Sequence, residues 1–108
     1  MKVVNLEFRD QRQLYRAYMP FLSGGGIFFL SKDKYQLGEK VELALTLPGE
    51  AEPVKGISHV CWLSPKTQRY GVRQGFGVNF TPELMSLKSA IESSLGAWVG
   101  SSEPTYTM

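Results

Sequence analysis

Cysteine and histidine occur once each in this 108-residue chain, as Cys61 and His59. An internal disulfide is therefore impossible, and a Cys/His cluster of the kind that holds zinc is excluded. An excess of charge of one sign is also lacking. Lys and Arg total 12 against 10 Asp and Glu, a formal net charge of +2, far from the basic surplus that phosphate-backbone binding draws on. No apolar run approaches the roughly 20 residues of a membrane span, and the opening stretch Met1 to Phe8 is too short and too charged for a secretory leader. The carboxylates Glu7, Asp10, Asp33 and Glu42 are scattered without pairing, and His59 has no nucleophile and acid beside it in the sequence. These absences point to a soluble, cytoplasmic, monomeric binding protein without catalytic residues, cofactor, metal or nucleic-acid partner.

What is present is a folded core: 43% of residues are hydrophobic and 12% aromatic, against 20% charged, too apolar a balance for a disordered chain. Leu6 and Phe8 alternate with polar neighbours, as in a half-buried strand. Leu14 to Tyr18 offers a second short strand, ended by Pro20. Ile27-Phe28-Phe29-Leu30 reads as a strand buried on both faces, Val41 to Leu47 is the cleanest alternation, and Val54 to Trp62 is long enough to bend, with Gly56 as its corner. In Gly75 to Phe80, Phe76, Val78 and Phe80 share one face and the intervening glycines leave room for close approach. The period then changes. Thr81, Pro82 and Glu83 form a helix start, and Leu84, Leu87, Ile91, Leu95 and Trp98 recur at helical spacing. The expectation is a mainly β single domain: a six-stranded antiparallel barrel over about 3–80, a helix over about 82–99 stopped by Gly100, and a tail over 100–108.

Leu22-Ser23-Gly24-Gly25-Gly26-Ile27 resembles the second signature of PilZ domains, in which an Asp or Asn precedes a serine and a glycine at fixed spacing. The order of strands, basic loop and last helix is similar too. Further segments (Leu14 to Phe21, Gly24 to Phe28, Tyr35 to Gly38, and Pro104 to Met108) resemble members of the family that serve type IV pilus assembly. The resemblance implies a PilZ-like barrel acting as an adaptor in pilus biogenesis and twitching motility. Its implied partners are the pilus extension ATPase and an EAL/GGDEF-type regulatory protein that holds cyclic di-GMP. Typical PilZ domains bind that nucleotide through an R-x-x-x-R loop well ahead of the serine motif, where guanidinium groups meet guanine edges and phosphates. Arg12 and Arg16 match the spelling, but Arg16 lies only five residues before Phe21, too close for the intervening strand, and no residue ahead of Met1 is expected to supply the loop. Phe21 stands where the family has Asp or Asn. Phe21, Ser23, Gly25 and Gly26 thus form a degenerate ligand turn, and no direct binding is expected. The alternative is a direct cyclic di-GMP effector using Arg12, Arg16 and Ser23.

Two stretches are candidates for partner binding. Met19, Phe21, Phe28 and Phe29 crowd around the glycine turn, and a single alternating strand cannot bury all four, so Met19, Phe21 and Phe29 are candidates for an exposed apolar patch. Pro104, Tyr106 and Met108 give the tail enough apolar surface to dock. The basic stretch Lys66 to Arg73, with Tyr70 among its cations, would suit single-stranded nucleic acid on a barrel, a second alternative that the small net charge disfavours.

Overall fold

The computed structural model describes residues 1–64 and 74–107. Five strands, β1 (Lys2–Glu7), β2 (Gly26–Ser31), β3 (Lys40–Thr46), β4 (Val54–Leu63) and β5 (Gln74–Asn79), form a curled half-barrel in the order β1-β3-β4-β5-β2. Helix α1 (Gln11–Ala17) connects β1 to β2, and helix α2 (Met85–Leu95) follows the sheet. No helix among the described residues is long and apolar enough to cross a membrane. The mainly β architecture with a C-terminal helix agrees with a PilZ-like barrel, but two expectations need correction. The stretch read as a second strand is α1, which leaves five strands among the described residues instead of six. The sheet is also not wholly antiparallel, because β1 pairs with β3 in parallel, from Lys2 opposite Val41 to Glu7 opposite Thr46. A parallel pair needs a crossover, and α1 together with β2 supplies it.

Residues 11–17 form a helix for reasons that lie in their own and their flanking side chains. The Asp10 carboxylate accepts from the Gln13 N–H at 2.8 Å, a standard N-cap. Leu14, Ala17 and Tyr18 stand three and four apart and all are buried, so the apolar stripe has helical period. Tyr18 then returns to extended backbone and makes an isolated antiparallel bridge with Ile27.

The core fills the concave side of the sheet. Val41, Leu43, Leu45, Phe76 and Val78 point into it, and Leu84, Leu87, Ile91 and Leu95 close it with at most 1% exposure each. Burying a side chain of this size is worth about 1.5–3 kcal/mol, so these four are a principal clamp on the fold. The glycines of β5 act on the opposite face, as their alternation implied. A Cβ on Gly75 would stand 2.4 Å from the Phe28 ring, and one on Gly77 would stand 2.8 Å from Met19 Sδ and 2.9 Å from Trp62 Cβ. Gly56 is not a corner: a Cβ there would meet Leu84 at 2.5 Å, so it admits the short 3-10 turn Pro82–Leu84. The pairing of β4 with β5 shifts between Val60 and Trp62 instead, which places the irregularity at Cys61. Thr81 does not cap the helix with its side chain; its hydroxyl donates to the Ile57 carbonyl at 2.7 Å. α2 ends at Gly96, and a second 3-10 turn, Gly96–Gly100, carries Trp98.

Candidate functional site

The glycine turn between α1 and β2 is shaped by its neighbours. Gly24 and Gly25 have φ of 79° and 83°, backbone that side-chain-bearing residues rarely adopt. The Gly25 N–H donates to the Leu22 carbonyl at 2.8 Å, and the Gly25 carbonyl accepts from Phe80 N–H at 2.9 Å. A Cβ on Gly25 would touch the Phe80 ring at 3.1 Å, and one on Gly26 would stand 2.6 Å from the Val78 carbonyl oxygen. Close packing against β5 and the approach to α2 thus accounts for the glycines without a ligand. Ser23 and Phe21 are exposed on the rim of this turn, and Phe21 presents an apolar ring there.

The two arginines of the R-x-x-x-R spelling lie on α1, one turn apart. Together with Arg9, Asp10, Gln13 and Tyr106 they line a hollow of about 290 Å³. None of Phe21, Ser23, Gly25 and Gly26 lines it, so the serine motif lies outside the hollow that the arginines line. Arg12 Nη2 stands 3.8 Å from Glu103 Oε2, and the Arg16 carbonyl accepts from Tyr106 N–H at 3.0 Å.

The apolar patch is corrected in two of its three members. Met19 is 0% and Phe29 6% exposed, while Phe21 remains on the surface at 48%. The expectation assumed one buried face. The strand is covered on both: Phe29 packs edge-on to Tyr35 and tilted on Phe76 in the main core, whereas Phe28 meets Trp62 and Tyr106 on the other side.

The tail is docked along α1. Tyr15 Oη donates toward the Ser101 carbonyl (3.1 Å) and the Glu103 carbonyl (2.6 Å), and Tyr106 stacks on Phe28 with centroids 5.0 Å apart. Pro104 and Tyr106 are exposed. Under the strap, Tyr15, Tyr18, Pro20, Leu95, Val99 and tail residues line a groove of about 480 Å³. At its margin Tyr18 Oη donates to Glu92 Oε2 at 2.6 Å and accepts from Lys88 Nζ at 3.2 Å, while Lys88 and Glu92 pair at 3.1 Å. Burial, then the bond to Glu92, pushes the Tyr18 phenol up. The hydrogen bonds from Tyr18 and Lys88 hold Glu92 below the usual carboxylate range, and those to Tyr18 and Glu92 raise Lys88.

Sequence reasoning missed Tyr15, Tyr18, Lys88 and Glu92 as a group. Lys88 and Glu92 are visible as an i,i+4 pair, but the tyrosines join them only through the fold. His59 is a half-buried strand residue whose backbone N–H donates to Asn79 Oδ1 at 3.0 Å. Among the described residues no group of three His, Cys, Asp or Glu is placed to hold a metal. The basic stretch Lys66 to Arg73 and the terminal Met108 lie outside the described residues.

The PilZ domain model matches residues 2–97 of the chain. No curated protein matches it at a significant level. PilZ domains are generally non-enzymatic binding and adaptor modules connected with cyclic di-GMP. Because the match runs from β1 through the glycine turn to the end of α2, the chain belongs to the PilZ domain family.

Proposed function

We propose that this protein is an adaptor of type IV pilus biogenesis and twitching motility that does not itself bind cyclic di-GMP. In this reading it works in the cytoplasm as a monomer. It contacts the pilus extension ATPase and an EAL/GGDEF-type regulator, so that the regulator's nucleotide state reaches the motor through protein contact. The observation that carries the reading is the separation of the serine turn from the arginines: Phe21 and Ser23 sit on an exposed rim, while Arg12 and Arg16 line a hollow beside the docked tail. A ligand held by both sets would need them around one pocket. The resemblance of several segments, the tail among them, to the type IV pilus assembly protein PilZ supplies the choice of partners, with Phe21, Pro104, Tyr106 and Met108 as the candidate contacts.

Titration calorimetry with cyclic di-GMP tests the first half. At tens of micromolar protein no heat of binding is expected. A dissociation constant below roughly 10 μM, equivalent to about 7 kcal/mol, overturns the reading in favour of a direct effector. Capture of the purified ATPase and of the purified regulator on the immobilised protein tests the second half, and failure to retain either one refutes the adaptor role.

A further inference from the structure

The half-barrel leaves a seam, and its two edges are unlike any other part of the sheet. β1 and β2 are the terminal strands of the order β1-β3-β4-β5-β2. Following the pairings across the sheet, they run antiparallel to each other. Between them lies a slot of about 400 Å³, walled by Asn5, Leu6, Glu7 and Phe8 on one side and by Phe28, Phe29 and Leu30 on the other.

The backbone phase of β1 follows from one bond. Phe8 N–H donates to the Thr46 carbonyl at 3.0 Å, so the even-numbered residues of β1 turn their amides and carbonyls to β3. Val3, Asn5 and Glu7 turn theirs outward, because these groups alternate along a strand. No described residue bonds to the backbone of these three. On the opposite edge Met19 N–H donates to the Gly26 carbonyl, so the start of β2 is already paired there. The outward groups of Val3, Asn5 and Glu7 are a template for a further strand.

Charge identifies what such a strand carries at one end. Gln13 and Tyr106 line both the slot and the hollow of Arg9, Arg12 and Arg16, so the two are continuous at the α1 end. The Asp10 carboxylate there is engaged in capping α1, and Glu103 approaches only Arg12. Arg9 and Arg16 make no ion pair among the described residues.

Taking the adaptor reading as its starting point, we propose that the seam is the docking site of an extended segment of a partner protein. That segment adds along β1 as a strand, with apolar side chains facing Leu6, Phe8 and Leu30 and a carboxylate reaching Arg9 and Arg16. This is strand addition, in which main-chain bonds provide affinity and alternate side-chain pockets provide specificity.

The test uses the full chain with the purified pilus extension ATPase and, separately, a purified EAL-domain regulator. In the complex, amide exchange at Val3, Asn5 and Glu7 slows by about tenfold or more relative to the free protein. Asn5→Pro removes an outward N–H without touching the β1–β3 ladder and weakens capture by about tenfold; Arg9→Glu weakens it further at low salt than at high salt. Should Asn5→Pro fail to fold, exchange in the wild-type complex decides. If a partner is captured while these three amides exchange as in the free chain, the seam proposal is overturned and the adaptor reading stands. Capture of neither partner overturns both. Amides already protected in the free protein and released by deleting 104–108 assign the slot to the chain's own tail, and a dimer in light scattering that Asn5→Pro abolishes assigns it to a second copy. Either result overturns the proposal.

Discussion

Helix α2 and the tail that follows it both pack on the rest of the molecule, yet they do so in opposite ways. The α2 side is dry and close. Leu87, Ile91 and Leu95 are at most 1% exposed, and Gly56 lets Leu84 approach the sheet more closely than a Cβ would allow. The tail lies over hollows, and its tethers include two carbonyls on the Tyr15 hydroxyl, a backbone bond to Arg16, the Tyr106 ring on Phe28 and the Arg12–Glu103 ion pair. A segment with few buried apolar contacts and several exposed polar ones opens at low cost. The difference separates a region that decides whether the domain folds from one whose opening costs little.

The comparison breaks most sharply at Leu87. Leu87→Asp places an unpaired carboxylate in the sealed face and costs about 4 kcal/mol or more, a large share of the stability of a small domain. A chemical denaturation curve checks it, and a native-like midpoint removes α2 from the core. Gly26→Ala comes next. Its Cβ meets the Val78 carbonyl oxygen at 2.6 Å, and since backbone cannot step aside, the loss is about 1–3 kcal/mol.

Deletion of residues 102–108 is expected to act at a middle level. The Glu103 carbonyl on Tyr15 and the Tyr106 N–H on Arg16 are lost, about 0.5–1.5 kcal/mol each. Thermal melting should fall by several degrees, on the scale of about 4–8 °C per kcal/mol for a domain near this size, with far-UV circular dichroism preserved. A loss as large as that of Leu87→Asp makes the tail a structural brace equal to α2. An unchanged melting temperature means that the tethers contribute nothing, and partner capture by the truncated chain then reports the tail's role without a stability correction.

The smallest effect lies on the polar cluster where the two regions meet. Glu92 is off the apolar stripe, so the helical pattern alone treats Glu92→Ala as silent. Its bond from the Tyr18 hydroxyl raises the expected cost to about 1 kcal/mol. The pH dependence has a definite sign. Glu92 is depressed below its ordinary value of 4.5, so its contribution is present above that value and is lost as pH falls through the lower folded value. Tyr18 and Lys88 are raised above 10.0 and 10.5, so theirs are present below those values and are lost as pH rises through the higher folded ones. With side chains 39% and 37% exposed, the Lys88–Glu92 pair itself is worth less than about 1 kcal/mol. Denaturation midpoints of the wild type and Glu92→Ala should converge in strong acid and stay apart at neutral pH; a gap that persists once the carboxyl is protonated in the folded state assigns the effect to contacts of the neutral side chain instead of to its charge.

Much of the frame was legible because it rests on period. The alternation of β3, the three- and four-residue spacing of α2 and the Gly/Phe alternation of β5 each place one face in a core whatever the neighbours are. Helix α1 was read instead as a short strand, because Leu14 to Tyr18 ahead of Pro20 is too brief an apolar stretch for its period to separate the two, and the Asp10 cap that decides for a helix is a bond to the Gln13 N–H. The patch at Met19 and Phe29 was misplaced because periodicity says which residues share a face and not how many faces are covered.

By itself, then, the sequence determined the mainly β class, the sealing helix and the PilZ resemblance, since these depend on local spacing and on a motif of adjacent residues. Tertiary structure alone decided the parallel pairing of β1, the double coverage of β2, the tethering of the tail by Tyr15 and the open seam between the edge strands. Each of these joins groups far apart in the chain, as Tyr15 and Glu103 are, and their contact is set by the path of the crossover and the curl of the sheet, which no local pattern encodes.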